Sequence, residues 1–155
     1  MHEIIIPDRA PASRPIPGHD SVFFAPDSQW HQSELDGAFD IGPLSEIGNL
    51  DPKGEHGILK EVMGSFGNSL DPLMSMLQRH RDRGRASGIR FECKRLELAA
   101  AHMGAVHLAQ ACAGVSRFFD AGDFHSRPQA LDALVDEVMT EAVRVQRKVR
   151  QLLAL

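Results

Sequence analysis

The stretch from Ile89 to Gly114, IRFECKRLELAAAHMGAVHLAQACAG, constrains the fold more than any other part of the chain. It reads as one helix, a tight break at Gly104 and a second helix. Ile89, Cys93, Leu96, Ala100 and Met103 recur at three- and four-residue steps, which places them on one helical face. Leu108, Cys112, Val115 and Phe119 make a like stripe beyond the break. A connection this short leaves the two helices as antiparallel neighbours with their apolar faces turned to a common core.

Two further stripes complete the pattern. Ile58, Leu59, Val62, Met63, Phe66, Leu70, Leu73, Met74 and Leu77 predict a long amphipathic helix within residues 55–81. Pro72 is expected to bend it, and Gly64 and Gly67 to weaken its middle. Gly84 and Gly88 bracket the following turn. After the turn signal at residues 120–123, Ser126 or Arg127 is expected near the N-cap of a last helix, with Pro128 in its first turn. Leu131, Leu134, Val135, Val138, Ala142, Val145, Val149 and Leu152 carry that helix to the C-terminus. Its closing Arg144, Arg147, Lys148 and Arg150 complement the negative end of the helix dipole. Four long helices with short connections predict an all-α, up-down four-helix bundle. A short cap helix from Pro43 to Ile47 is expected before it, stopped by Gly48-Asn49.

Residues 1–38 differ from the bundle of 39–155. They hold five of the nine prolines, which exclude a long helix or a central strand. An extended N-terminal arm is expected, with apolar spots at Ile4-Ile5-Ile6, Phe23-Phe24 and Trp30. These either anchor the arm on its own bundle or, at Ile4–Ile6, add as a strand to a partner or a second copy, giving a homodimer.

Composition excludes several functions. The net charge of −4 gives no general attraction to nucleic acid. No run approaches ~20 apolar residues, so no membrane span is expected. Met1-His2-Glu3 lacks the basic start of a signal peptide, and a cytoplasmic protein is expected. Cys93 and Cys112 read as buried thiols; they form no CxxC pair and no metal-ligand spacing. His102 and His107, five apart across a glycine break, are poorly spaced for a metal. Asp136 and Glu137 point apart on a helix and make no acid/base pair. There is no phosphate loop and no Ser/His/Asp set, so neither a cofactor nor an enzymatic activity is expected.

The layout around Gly104 resembles the histidine phosphotransfer domains. In that family a His-x-x-Lys-Gly core on the second bundle helix is followed, ten residues after the histidine, by a Gly-Ala that opens the next helix. That helix carries Leu-x-x-x-Cys and ends in a Gly-Asp turn. Here Gly104-Ala105, Leu108 with Cys112, and Gly122-Asp123 match. Asp40-Ile41 with Leu44, Asp51-Pro52 and the 58–77 stripe resemble the family's cap and first long helix. The resemblance spans about residues 39 to 154 and rests on layout more than identity.

The chemical positions depart from the family. Ten residues before Gly104 stands Lys94; the family's lysine is Glu97 and its glycine Leu98. A neutral imidazole nitrogen can take a phosphoryl group from an aspartyl phosphate, whereas a lysine side chain is protonated at neutral pH and is not that nucleophile. Glu97 would repel the phosphoryl charge, and Leu98 fills the space above one turn of helix. The resemblance with these departures implies a pseudo-phosphotransfer protein, expected to have lost the phosphorelay chemistry and kept the docking surface. The resemblance implies a response-regulator receiver domain or a histidine kinase as partner. Lys94 and Leu98 would lie at the contact centre, with Arg90, Arg95, Glu97, Ala101 and His102 around them. Cys93 and Leu96 fall on the buried stripe, while Lys94, Leu98, Ala101 and Ala105 share another face. Lys94 can reach an acidic pocket as a tethered cation; the plainer reading leaves it a solvated lysine, with Leu98 packed under the arm.

Two alternatives stay open. His80, followed by Arg83 and Gly84, or His102 could accept phosphate in an active carrier. Or the chain is a structural dimerisation module. Seven cations between residues 79 and 95 (Arg79, Arg81, Arg83, Arg85, Arg90, Lys94 and Arg95) stand against Asp82 and Glu92 and could steer an acidic partner. No helix-turn-helix, zinc or aromatic stacking motif assigns them to nucleic acid.

Overall fold

A computed structural model describes residues 30–154. The order is a 3₁₀ turn at Gln32–Leu35, then α1 (Ile41–Gly48), α2 (Ile58–Asp82), α3 (Ala86–Met103), α4 (Val106–Asp120), α5 (Asp123–Ser126) and α6 (Ala130–Leu153). Among the described residues there is no strand. The long helices α2, α3, α4 and α6 form the expected up-down bundle: α3 packs on α2 and α4, and α6 closes the ring against α2 and α4. Met63, Leu70, Leu77, Cys93, Leu96, Leu108, Cys112, Val115, Val135 and Val138 fill its centre.

The helix α2 runs through Pro72 without interruption. Pro72 faces solvent, so its missing donor leaves no buried carbonyl stranded. Gly64 and Gly67 do more than weaken the helix. A Cβ on Gly67 would lie 2.8 Å from Val149 Cγ1, and one on Gly64 3.3 Å from Leu153 Cδ1. The two glycines let α6 approach the α2 backbone.

Two element boundaries differ from expectation. The cap helix starts at Ile41 rather than Pro43, because the Asp40 carboxylate accepts from Gly42 N–H at 3.0 Å and opens the helix there. The last helix starts at Ala130, not near Ser126. Residues 123–126 form their own turn, α5, since Phe124 stacks on Phe119 (5.5 Å between centroids) and meets Phe118 edge-on (6.5 Å). Pro128 lies in the turn before α6, its carbonyl accepting from Leu131 N–H. In α4, Phe118 takes the buried position expected of Phe119, which is partly exposed.

The described end of the expected arm belongs to the core. Trp30, Leu35 and Ala38 are buried with Phe39 and Leu44. The Gln32 side-chain amide donates to Phe39 O and accepts from Ile41 N–H, tying the 3₁₀ turn to α1. Lys148 donates to the Glu34 carbonyl and the Asp36 carboxylate, and Arg144 Nη2 donates to the Asp36 carbonyl at 3.0 Å. These two cations clamp residues 34–36; of the closing basic residues, Arg150 is the one in the last turn of α6. Ile4–Ile6 and Phe23-Phe24 lie outside the described residues.

Candidate docking face on the third helix

Two faces of α3 are set by its sequence. Ile89, Cys93, Leu96, Ala100 and Met103 are buried as the inner stripe predicts. On the outer face, Phe91, Lys94, Leu98 and Ala101 follow at steps of three, four and three residues, and all are exposed. Phe91 is 61% and Leu98 56% exposed, unusual for side chains of this size. Lys94 stands between them. Ala105, expected to continue this face, is buried instead: it follows the left-handed Gly104, and its N–H folds back onto Ala100 O at 2.8 Å.

Each α3 cation has an acidic neighbour. Lys94 Nζ lies 3.4 Å from Glu97 Oε1. Arg90 Nη2 meets Asp120 Oδ1 at 2.5 Å, with its guanidinium 5.5 Å over the Phe119 ring. Arg95 Nη1 meets Glu92 Oε2 at 3.2 Å, with its guanidinium 5.8 Å over Phe91. Glu92 is 2% exposed, so Arg95 supplies the counter-charge that a buried carboxylate requires. A depression of about 420 Å³ opens beside Lys94, lined by Ser87, Arg90, Phe91 and Lys94 of α3 and Ser116 and Asp120 of α4. Ala101 and His102 lie exposed at the Gly104 end. The residues expected at the contact (Arg90, Lys94, Arg95, Glu97, Leu98, Ala101 and His102) thus line one side of α3, with Glu97 the least exposed. Phe91 was not among them. Its three- and seven-residue spacing to Lys94 and Leu98 was the available signal, but an aromatic inside a helix reads as core.

The α3–α4 turn fixes this face relative to the cap. Gly104 has φ +79°, and Asp40 N–H donates to its carbonyl at 2.7 Å. Of the histidines proposed as alternative phosphoacceptors, His80 stands on α2 and His102 at the Gly104 end of α3. His80 packs its ring on Gly88, where a Cβ would sit 2.3 Å from Nδ1; that nitrogen is buried and has no hydrogen-bond partner among the described residues. Gly84 has φ +64° just past the end of α2, as a helix-terminating glycine should. His102 and His107 are exposed on either side of Gly104. No three His, Cys, Asp or Glu side chains gather to hold a metal among the described residues. Cys93 and Cys112 are free, buried thiols. The hydrogen bond that the protonated Cys112 thiol donates to Cys93, followed by burial, pushes the Cys112 thiol far above its ordinary value.

No described helix is long and apolar enough to cross a membrane. No protein-family model and no curated protein matches the chain. Among solved structures, the chain is similar to the crystal structure of histidine-containing phosphotransfer protein B (HptB) from Pseudomonas aeruginosa PAO1. The TM-score is 0.64 at 18% identity, covering 76% of this chain and 95% of that one. At this identity the likeness is one of fold: the chain is an all-α bundle of the histidine-phosphotransfer type.

Proposed function

We propose that this chain is a pseudo-phosphotransfer protein: a non-enzymatic adaptor that docks on a response-regulator receiver domain or a histidine kinase and modulates two-component signalling without carrying phosphate. The observation that carries the reading is Lys94, exposed at mid-helix between Phe91 and Leu98 on a fold shared with a histidine-containing phosphotransfer protein. Lys94 stands ten residues before the Gly104 break, where the resemblance places the phosphoacceptor. Its ammonium group can donate to carboxylates in a partner's acidic pocket, but it has no free electron pair with which to take up a phosphoryl group. Arg90, Arg95, Glu97, Ala101 and His102 surround that contact. Residues 39–155 form the adaptor body in this reading, residues 1–38 are its arm with the 30–38 end packed into that body, and the protein works in the cytoplasm beside its partners.

His102 supports a second reading, an active carrier, because it is exposed at the end of the same side of α3. His80 has less support, since its Nδ1 is buried against Gly88. One experiment separates the readings: incubation with ³²P-phosphorylated receiver domains of the same organism, run beside a binding assay with the same receivers. Binding without label on this chain is the expected result. Acid-labile label overturns the pseudo-phosphotransfer reading and points to His102. Absence of both across the receivers, together with no binding to the histidine kinases of the same organism, overturns the adaptor reading.

A further inference from the structure

The outer face of α3 is nearly balanced in charge. Its three cations, Arg90, Lys94 and Arg95, are each within ion-pair distance of an acid on this chain: Asp120, Glu97 and Glu92. Beyond the exposed Lys94 ammonium, what this face offers a partner is therefore chiefly apolar area, at Phe91 and Leu98. The cations at the α2–α3 turn differ. Arg79, Arg83 and Arg85 are exposed and make no ion pair among the described residues, whereas Arg81 beside them is held by Asp136 at 2.6 Å. Arg85 immediately precedes α3, six residues from Phe91, or about 9 Å along the helix axis. At the opposite end of α3, Ala101 and His102 are exposed and no arginine, lysine or carboxylate follows before Gln110. Apolar area and a net positive charge, three arginines beside the exposed Asp82, thus lie in sequence along one direction of α3.

From this arrangement we infer that the docking surface runs from Leu98 through Phe91 to Arg79, Arg83 and Arg85. The partner then presents an apolar strip with carboxylates at the end that meets these arginines. The inference rests on the adaptor reading and deepens it, by giving the charge pattern and orientation of the partner. Buried apolar contacts govern how long a complex lasts, whereas exposed charges at its rim govern how fast it forms. Phe91 and Leu98 are assigned the first role and the three arginines the second.

Binding kinetics of the full chain with isolated receiver domains of the same organism test this, at about 50 mM and about 500 mM NaCl. The triple variant Arg79→Glu, Arg83→Glu, Arg85→Glu is expected to associate about tenfold more slowly at low salt, with the gap closing at high salt. Phe91→Ala is expected to speed dissociation by about fivefold or more and to leave association nearly unchanged. All four side chains are exposed, and thermal melts of the variants verify folding. If Lys94→Glu and Leu98→Ala weaken binding while these variants behave as the parent does, the adaptor reading stands and this orientation is overturned. If the parent protein binds no receiver, docking on a receiver and this orientation are both overturned.

Discussion

Asp40 and Gly104 are joined backbone to backbone: Asp40 N–H donates to the Gly104 carbonyl at 2.7 Å, and a Cβ on Gly104 would lie 2.7 Å from the Asp40 carbonyl oxygen. The contact pins the entrance of α1 onto the α3–α4 turn, and Gly104 must also hold φ +79°. Gly104→Ala therefore meets backbone strain and a steric block together. A loss of about 2–4 kcal/mol in unfolding free energy is expected in urea titration. Gly122, with φ +77° and nothing within 4 Å of its Cβ position, is the control: Gly122→Ala should cost only about 1–2 kcal/mol.

Gly67 and Val149 give a second test. A methyl group on Gly67 would press on Val149 at 2.8 Å, although alanine favours the helix by about 1 kcal/mol. Overpacking costs of order 1–3 kcal/mol, so Gly67→Ala is expected to be destabilising on balance. In a Val149→Ala background the same substitution should turn neutral or stabilising. A double-mutant cycle reads the coupling directly, and additive effects would mean that α2 and α6 do not meet at this point.

Asp51 links stability to pH. Burial alone would raise its carboxyl, but backbone N–H groups of Ile58, His56 and Gly57, with the nearby His56 charge, hold it below its ordinary value. A depressed folded-state value contributes stability that is present above the unfolded carboxylate range, near pH 4, and is lost as pH falls through the folded value. Asp51→Asn should therefore lower the melting temperature at pH 7. The gap from the parent should narrow steadily below pH 4, and a gap that stays constant down to pH 2 would remove Asp51 as the linked group.

The Cys112 thiol is held protonated by Cys93 and by burial, so it should resist alkylation. Iodoacetamide at pH 8 is expected to leave it unmodified in the native protein over hours and to label it within minutes in 6 M guanidinium, as read by mass spectrometry. Rapid native labelling would place Cys112 outside the core.

The four long helices were legible in the sequence because each carries a continuous apolar stripe, and the stripes of α2, α3, α4 and α6 are largely buried as their spacing predicts. What escaped depends on partners distant in the chain. Gly67 looks like a weak point until Val149 arrives opposite it, and Lys148 looks like a dipole complement until Asp36 is found beside it. The turn of α5 depends on Phe124 reaching Phe119, which no local periodicity reports. At the candidate site, Lys94 and Leu98 are exposed as the helix phase indicated. Phe91 was missed because an aromatic within a helical pattern is ordinarily assigned to the core. Ala105 was misplaced because the helix phase was carried past a glycine that ends the helix.

The affinity of a receiver domain for the parent chain and for Lys94→Glu, measured by calorimetry in the same buffer, decides whether Lys94 lies at the contact. A carboxylate in place of the ammonium group would face the partner's acidic pocket with like charge, and binding should weaken by about tenfold or more, ~1.4 kcal/mol. Equal affinity for both chains would contradict docking through this face of α3.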